Sequence, residues 1–301
     1  MAYTINSGNN ILDLFQAIEA TLIGAGWSEA VLATNEAKVT DAAVFTGKGS
    51  GNDKIYIYLS CHETKDKLLL DSCVGFDTKL GIFEQPGSLQ QWLKARGYNS
   101  VDIPSFTIST NERYFYWIFV DSYRLIVVAR MSVVYESMYL GFLNPIASER
   151  QYPYPMYMCG NTHSKGSDWP NNQNGSFIFP ENGAGWLRRA DGTWRKFTAS
   201  KPDPSASSDG TIFPYNSHNK KLIPNYKEVD AVNQDNFLLI PIMIQTNNPV
   251  DINGLLRGCY WISGTRDIDA ERLLVYNGEQ YIVFDTKEDR GANTYFAIKL
   301  V

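Results

Sequence analysis

Cys159 and His163, with the adjacent pair Cys61-His62, are the closest groupings of nucleophilic and metal-binding side chains in the sequence. A thiol and an imidazole brought together in space could act as nucleophile and base, yet no orienting partner or oxyanion motif accompanies either pair. Neither grouping has a zinc spacing, and His62-Glu63 lacks the second histidine of a zincin; with His218 the only other histidine, no metal or cofactor is expected. Thr46-Gly47-Lys48-Gly49-Ser50-Gly51 has a superficial look of a phosphate loop, but the leading glycine is missing and no helix pattern follows, so it is expected to be a hairpin turn. Gly183-Ala184-Gly185-Trp186 is not set in a βαβ pattern either. Carboxylate pairs for glycoside hydrolysis cannot be assigned from sequence, because their separation is not encoded in it. Trp169, Trp186 and Trp194 could stack on sugars, or they could anchor a core or an interface. Arg188, Arg189, Arg195 and Lys196 form a short basic group among acidic neighbours, as on a solvated face or an intersubunit salt-bridge surface.

The elements that must position these residues are mostly strands. Of the 301 residues 44% are hydrophobic and 20% charged, which excludes global disorder; 13% are aromatic, which favours sheets and interfaces. A net charge of −5 gives no basic field for sequence-independent capture of nucleic acid, and sequence-specific nucleic acid is not expected as a partner. No run approaches the ~18 apolar residues of a membrane helix, so no membrane is expected either. The first residues lack the pattern of a signal peptide, and synthesis and folding in cytoplasm with buried, reduced cysteines are expected.

Ile11, Leu14, Phe15, Ile18 and Leu22 recur at helical steps after Asn9-Asn10, predicting an N-terminal helix stopped by Gly24 and Gly26. Residues 54–59 and 67–70 read as paired strands. Tyr114 to Val120 and Arg124 to Arg130 are apolar at odd and even positions alike, predicting a hairpin covered on both faces. From Asn144 to Tyr226 prolines are dense, which predicts irregular chain or short edge strands, with Ser200 to Gly210 as a mobile loop. Strand patterns return near Phe237, and Asn277-Gly278 marks a tight hairpin. The expected fold is therefore α+β and predominantly β. Its expected parts are a helix packed on an antiparallel sheet (1–143), an irregular Pro/Asn/Gly-rich and Trp-containing region forming interfaces (144–226), and a C-terminal antiparallel β-meander (227–301).

The order Tyr116-Trp117-Ile118-Phe119-Val120, Arg124-Leu125-Ile126-Val127-Val128-Ala129-Arg130, Ser132-Val133-Val134-Tyr135-Glu136-Ser137-Met138-Tyr139-Leu140-Gly141-Phe142 and Gln151-Tyr152-Pro153-Tyr154-Pro155 resembles a family of virion structural proteins of contractile-tailed bacteriophages. Flanking likeness runs from Leu14-Phe15 to Gly26-Trp27 and from Tyr260-Trp261-Ile262 to Phe296-Ala297-Ile298. The resemblance implies a non-enzymatic particle component, with no catalytic residues to carry over. The expectation is a neck, collar or tail-terminator subunit assembled as a homo-oligomeric ring, in contact with neck, tail-tube, sheath or baseplate proteins of the virion. A baseplate subunit is the alternative within this class, and a carbohydrate-binding receptor-recognition protein the alternative outside it; an enzyme with an unusual site is a third class. Candidate interface residues are Tyr152, Pro153, Tyr154, Pro155, Trp169, Trp186, Arg188, Arg189 and Trp194.

Overall fold

A computed structural model describes residues 2–31, 39–50, 52–62, 66–81, 84–96, 103–108, 112–146, 154–162, 175–180, 185–197, 210–214, 239–247, 250–262, 268–285 and 295–300. The chain is mostly β, in antiparallel sheets. A seven-stranded central sheet runs β1 (Ala2–Gly8), β7 (Tyr114–Val120), β8 (Arg124–Met131), β9 (Val134–Phe142), β10 (Met156–Cys159), β14 (Gly185–Arg188), β15 (Trp194–Phe197). A six-stranded second sheet runs β11 (Asn161–Thr162), β6 (Pro104–Thr107), β5 (Lys67–Cys73), β4 (Asp53–His62), β3 (Val39–Ser50), β2 (Ser28–Val31). The six-stranded third sheet runs β16 (Gly210–Phe213), β17 (Leu239–Asn247), β18 (Val250–Ile262), β21 (Tyr295–Lys299), β20 (Glu279–Asp285), β19 (Leu273–Tyr276). Two short strands, β12 (Gly175–Ser176) and β13 (Phe179–Pro180), pair with each other. The helices are α1 (Ile11–Gly24) and the short α2 (Leu89–Lys94).

The near-continuous hydrophobicity of the central strands follows from their burial on both faces, since successive side chains point to opposite sides of a strand. Tyr114, Tyr116, Ile118 and Val120 of β7, with Leu125, Val127 and Ala129 of β8, enter a core shared with α1 and the second sheet. Trp117 and Phe119, with Ile126 and Val128, enter another core shared with the third sheet. The molecule is thus layered, with the central sheet sandwiched between the helix-bearing second sheet and the third sheet.

α1 closes one layer by burying Ile11, Leu14, Phe15, Ile18 and Leu22. Its start is fixed by Asn10, whose Oδ1 accepts the Asp13 N–H at 3.0 Å, and by Asp13, whose Oδ2 accepts the Asn9 N–H at 2.8 Å. The Gly-Lys-Gly stretch lies at the end of the β3–β4 hairpin, in which Ser50 pairs with Asp53. Gly49 there has φ +64, and a Cβ on it would lie 1.9 Å from the Asp53 carbonyl oxygen, so a side chain cannot be accommodated.

Two expectations need correction. The Pro-rich segment is not limited to irregular chain and edge strands: β10 and β14 are interior strands of the central sheet, β10 pairing with β9 and β14. Each has only four residues, β10 lying between Pro155 and Pro170 and β14 between Pro180 and Pro202, so neither places a proline inside the ladder. The line expected at 143/144 therefore falls inside a continuous sheet. The C-terminal strands are not one simple meander either, because β18 pairs with β21 and leaves β19 at the edge. Phe296 and Ile298 of β21 are fully buried against the central sheet, whereas Leu273 and Val275 of β19 are exposed; the more apolar-facing strand holds the interior position.

Candidate assembly surface

The residues singled out for their chemistry are placed by the fold in ways that limit what they can do. Cys61, Cys73, Cys159 and Cys259 are free thiols, all buried, and burial pushes each up to about 12. Such thiols are protonated near neutral pH and are poor nucleophiles. His163 and His218 lie outside the described residues, as does the loop at 201–209. Among the described residues no three His, Cys, Asp or Glu side chains gather as metal ligands. No described helix is long and apolar enough to cross a membrane.

Asp71, fully buried on β5, has a clear structural task. Its Oδ1 accepts the N–H groups of Ser72 at 2.6 Å and Leu89 at 3.0 Å, and its Oδ2 accepts that of Gln90 at 3.3 Å. Burial raises its carboxyl to about 7 against these three N–H groups, which pull the other way. The side chain fastens α2 to the second sheet.

The expected interface cluster mostly turns inward. Trp186 and Trp194 are 2% and 1% exposed. Trp186 meets Trp92 edge-on at 5.7 Å, and Trp194 donates its Nε1–H to the Gly87 carbonyl at 3.1 Å. Arg188, buried too, donates from Nη2 to the Tyr154 carbonyl at 3.4 Å, while the Tyr154 N–H donates to Asp53 Oδ2 at 2.6 Å. Burial raises the Asp53 carboxyl, opposed by that N–H and by the Arg188 charge. Tyr154 and Pro155 are buried as well, the Tyr154 ring stacking on Phe142 at 5.6 Å. These five side chains therefore anchor layers within one chain and offer little surface to a partner or a sugar. Arg189 alone of the described set stays partly exposed, with a long 3.9 Å contact to Asp191 in the β14–β15 turn. Tyr152, Pro153 and Trp169 lie outside the described residues.

The exposed apolar surface lies elsewhere, at the opposite edge of the central sheet. β1 pairs with β7 so that Tyr3 faces Phe119, Ile5 faces Trp117 and Ser7 faces Phe115. Residues opposite each other across an antiparallel pair share a face, so Tyr3 and Ile5 extend the face that the third sheet covers. That cover reaches Trp117 and Phe119 through the Phe284 ring, at 5.2 Å and 6.1 Å, and stops there. Tyr3, Ile5 and Phe115 are left 48%, 54% and 42% exposed. Cations rim the patch: the Arg113 and Arg130 guanidinium carbons lie 5.7 Å and 5.2 Å from the Phe115 ring centre, and Arg130 Nη1 pairs with Glu271 Oε1 at 2.6 Å. An aromatic and aliphatic patch rimmed by arginines suits contact with another macromolecule.

No protein-family model matches the chain. No curated protein matches it either.

Sequence reasoning missed this edge. Tyr3-Thr4-Ile5-Asn6 does alternate apolar and polar residues, which is the signal of a half-covered strand, but nothing in that alternation says which face remains open.

Proposed function

We propose that the chain is a structural, non-enzymatic subunit of a contractile-tailed bacteriophage virion, placed in the neck or collar or at the tail terminator and assembled there as a homo-oligomeric ring. The observation that carries this reading is where the resembling residues lie: Tyr116 to Val120, Arg124 to Arg130 and Val134 to Phe142 are three successive strands, β7, β8 and β9, at the heart of the central sheet. A likeness spread over buried framework positions speaks to a shared fold more than to a few coincident surface residues. The arginine-rimmed patch on β1 and β7 adds an exposed surface suited to protein–protein contact, as a subunit that contacts neck, tube, sheath or baseplate proteins of a virion would be expected to carry. Neither membrane nor sequence-specific nucleic acid enters this reading, and no cofactor is called for. The sugar-binding alternative is weakened because Trp186 and Trp194 have no face free to stack on a ring.

Immunogold electron microscopy of particles from the source of the chain, with antibody raised against the purified protein, tests membership and position together. Label at the head–tail junction is the expected result. Label at the distal end moves the subunit to the baseplate. Unlabelled particles, with no signal from denatured virion protein, remove the virion reading.

A further inference from the structure

Edge strands of stable monomers are usually guarded by a charge, a proline or a bulge, because an open ladder invites pairing with another chain. β1 has none of these. Its seven residues, Ala2-Tyr3-Thr4-Ile5-Asn6-Ser7-Gly8, contain no charged side chain and no proline. Its register with β7 is unbroken over all seven pairs, and among the described residues it pairs with no other strand. By contrast β15, the other edge of the same sheet, is shorter and carries Arg195 and Lys196.

We infer that β1 is a dimerisation edge, pairing antiparallel with β1 of a second copy of this chain about a twofold axis at Ile5. The residue pattern favours the second copy as the occupant. In that register Ile5 meets the partner's Ile5, and Tyr3 lies opposite the partner's Ser7, so the exposed apolar residues stay on one face and cover each other. The register also brings a cation to each aromatic ring. Arg113 donates from Nε and Nη2 to Ser7 Oγ at 3.1 Å and 2.7 Å, which holds its guanidinium beside the position that the partner's Tyr3 takes. Symmetry repeats the contact at the other end. An uncharged strand meets no like-charge repulsion when paired with itself, and the other face is braced by α1 through the Thr4–Thr21 hydroxyl contact at 3.1 Å. The seven strands of the central sheet alternate in direction, so its two edges run the same way; pairing β1 with β15 of another copy by simple translation would give a parallel junction, whereas β1 with β1 gives an antiparallel one. This twofold contact closes at two copies, so it is separate from the contact that closes a ring, and it stands or falls independently of the virion reading.

Sedimentation velocity of the purified chain over roughly 1–100 μM, a range that brackets micromolar dissociation constants, should show a monomer–dimer equilibrium. Ile5→Lys places two like charges face to face across the axis and should raise the dimer dissociation constant by at least about tenfold. Because Ile5 is 54% exposed in the single chain, the variant should keep the wild-type circular dichroism and, in protein dilute enough for both to be monomeric, the wild-type melting temperature. Ile5→Cys should give an oxidised covalent dimer on a non-reducing gel, and Val133→Cys, exposed in the β8–β9 turn and separated from β1 by β7, should not. A wild-type chain that stays monomeric throughout overturns the inference. So does a dimer or larger ring that Ile5→Lys leaves intact, which would place the contact elsewhere while leaving a ring standing. A chain that is monomeric alone but binds another virion protein only with Ile5 in place would also overturn it, assigning the edge to a different partner.

Discussion

The two edges of the central sheet differ in opposite senses from their sequences. β15, with Trp194, Arg195 and Lys196 and the neighbouring Arg188 and Trp186, is rich in the residue types that dominate interfaces. Yet Trp186 is spent on Trp92 of α2, and Trp194 and Arg188 on the carbonyls of Gly87 and Tyr154, in the segments that lead into α2 and β10. β1 has an unremarkable, uncharged sequence, and it is the edge that leaves Tyr3 and Ile5 in solvent. Residue type proposes an interface, but the area left uncovered after folding decides one.

Truncation should separate the two edges most sharply. Trp194→Ala should destabilise the isolated chain by about 3–5 kcal/mol, the range for deleting a fully buried large aromatic, seen as an earlier midpoint in urea unfolding. A midpoint unchanged from wild type would return Trp194 to the role of an interface anchor. Of similar or slightly smaller size is the expected effect of Arg124→Ala, which tests the seam between the central and third sheets. Arg124 is 1% exposed; its Nε donates to Asp121 Oδ2 at 3.0 Å, and its Nη1 donates to the Arg257 carbonyl and to Cys259 Sγ. Breaking a fully buried pair costs about 3–5 kcal/mol; with Asp121 20% exposed the loss should fall toward the lower end, and Arg124→Met, which keeps the volume, should recover part of it. The fit around this side chain is close, since a Cβ on Gly258 (φ +59) would lie 2.8 Å from Arg124 Nη2.

A third effect concerns pH and belongs to the helix-bearing layer. Asp71 is raised from 3.8 to about 7 by burial, so the folded state holds a proton that the unfolded chain releases between those values. Its contribution is full below about pH 4 and is lost as pH rises through about 7, at no more than about 1.4 kcal/mol per pH unit. The Asp53 carboxyl, also raised by burial, acts in the same direction. Melting temperature should therefore fall from pH 4 to 7 through these groups, and Asp71→Asn should flatten the profile; an unaltered slope would show that Asp71 does not titrate there. The smallest effect on stability is expected at the open edge. Tyr3→Ser should change unfolding free energy by no more than about 0.5 kcal/mol in dilute protein, as for exposed positions generally, and a larger loss would mean that β1 is part of the core.

Much of the framework could be read in the residues. The mostly β class followed from aromatic and β-branched runs, and the two-sided burial of β7 and β8 followed from apolar residues at both parities. Asn277-Gly278 announced the β19–β20 hairpin because both residues take positive φ there, +50 and +78. The interior position of β10 and β14 was not legible, since four-residue strands between prolines carry too few positions to show a period. Nor was the pairing of β18 with β21, which depends on contacts far apart in sequence.

The chain of rings from Trp117 through Phe284 and Phe296 to Phe177 and Tyr139 shows the same division. Trp117, Phe284 and Phe296 were visible as aromatic residues in strand patterns, whereas Phe177 lies in the segment expected to be irregular, and the meeting of these rings required two sheets to stack. By itself the sequence determined that residues 54–59, 67–70, 114–120 and 124–130 extend and that the chain turns at Asn277-Gly278, because those depend on neighbours a few residues away. Only the tertiary structure decided which aromatic and arginine residues are consumed inside the layers and which edge stays open, because burial is set by the strands that land beside and above a residue, and these come from distant parts of the chain.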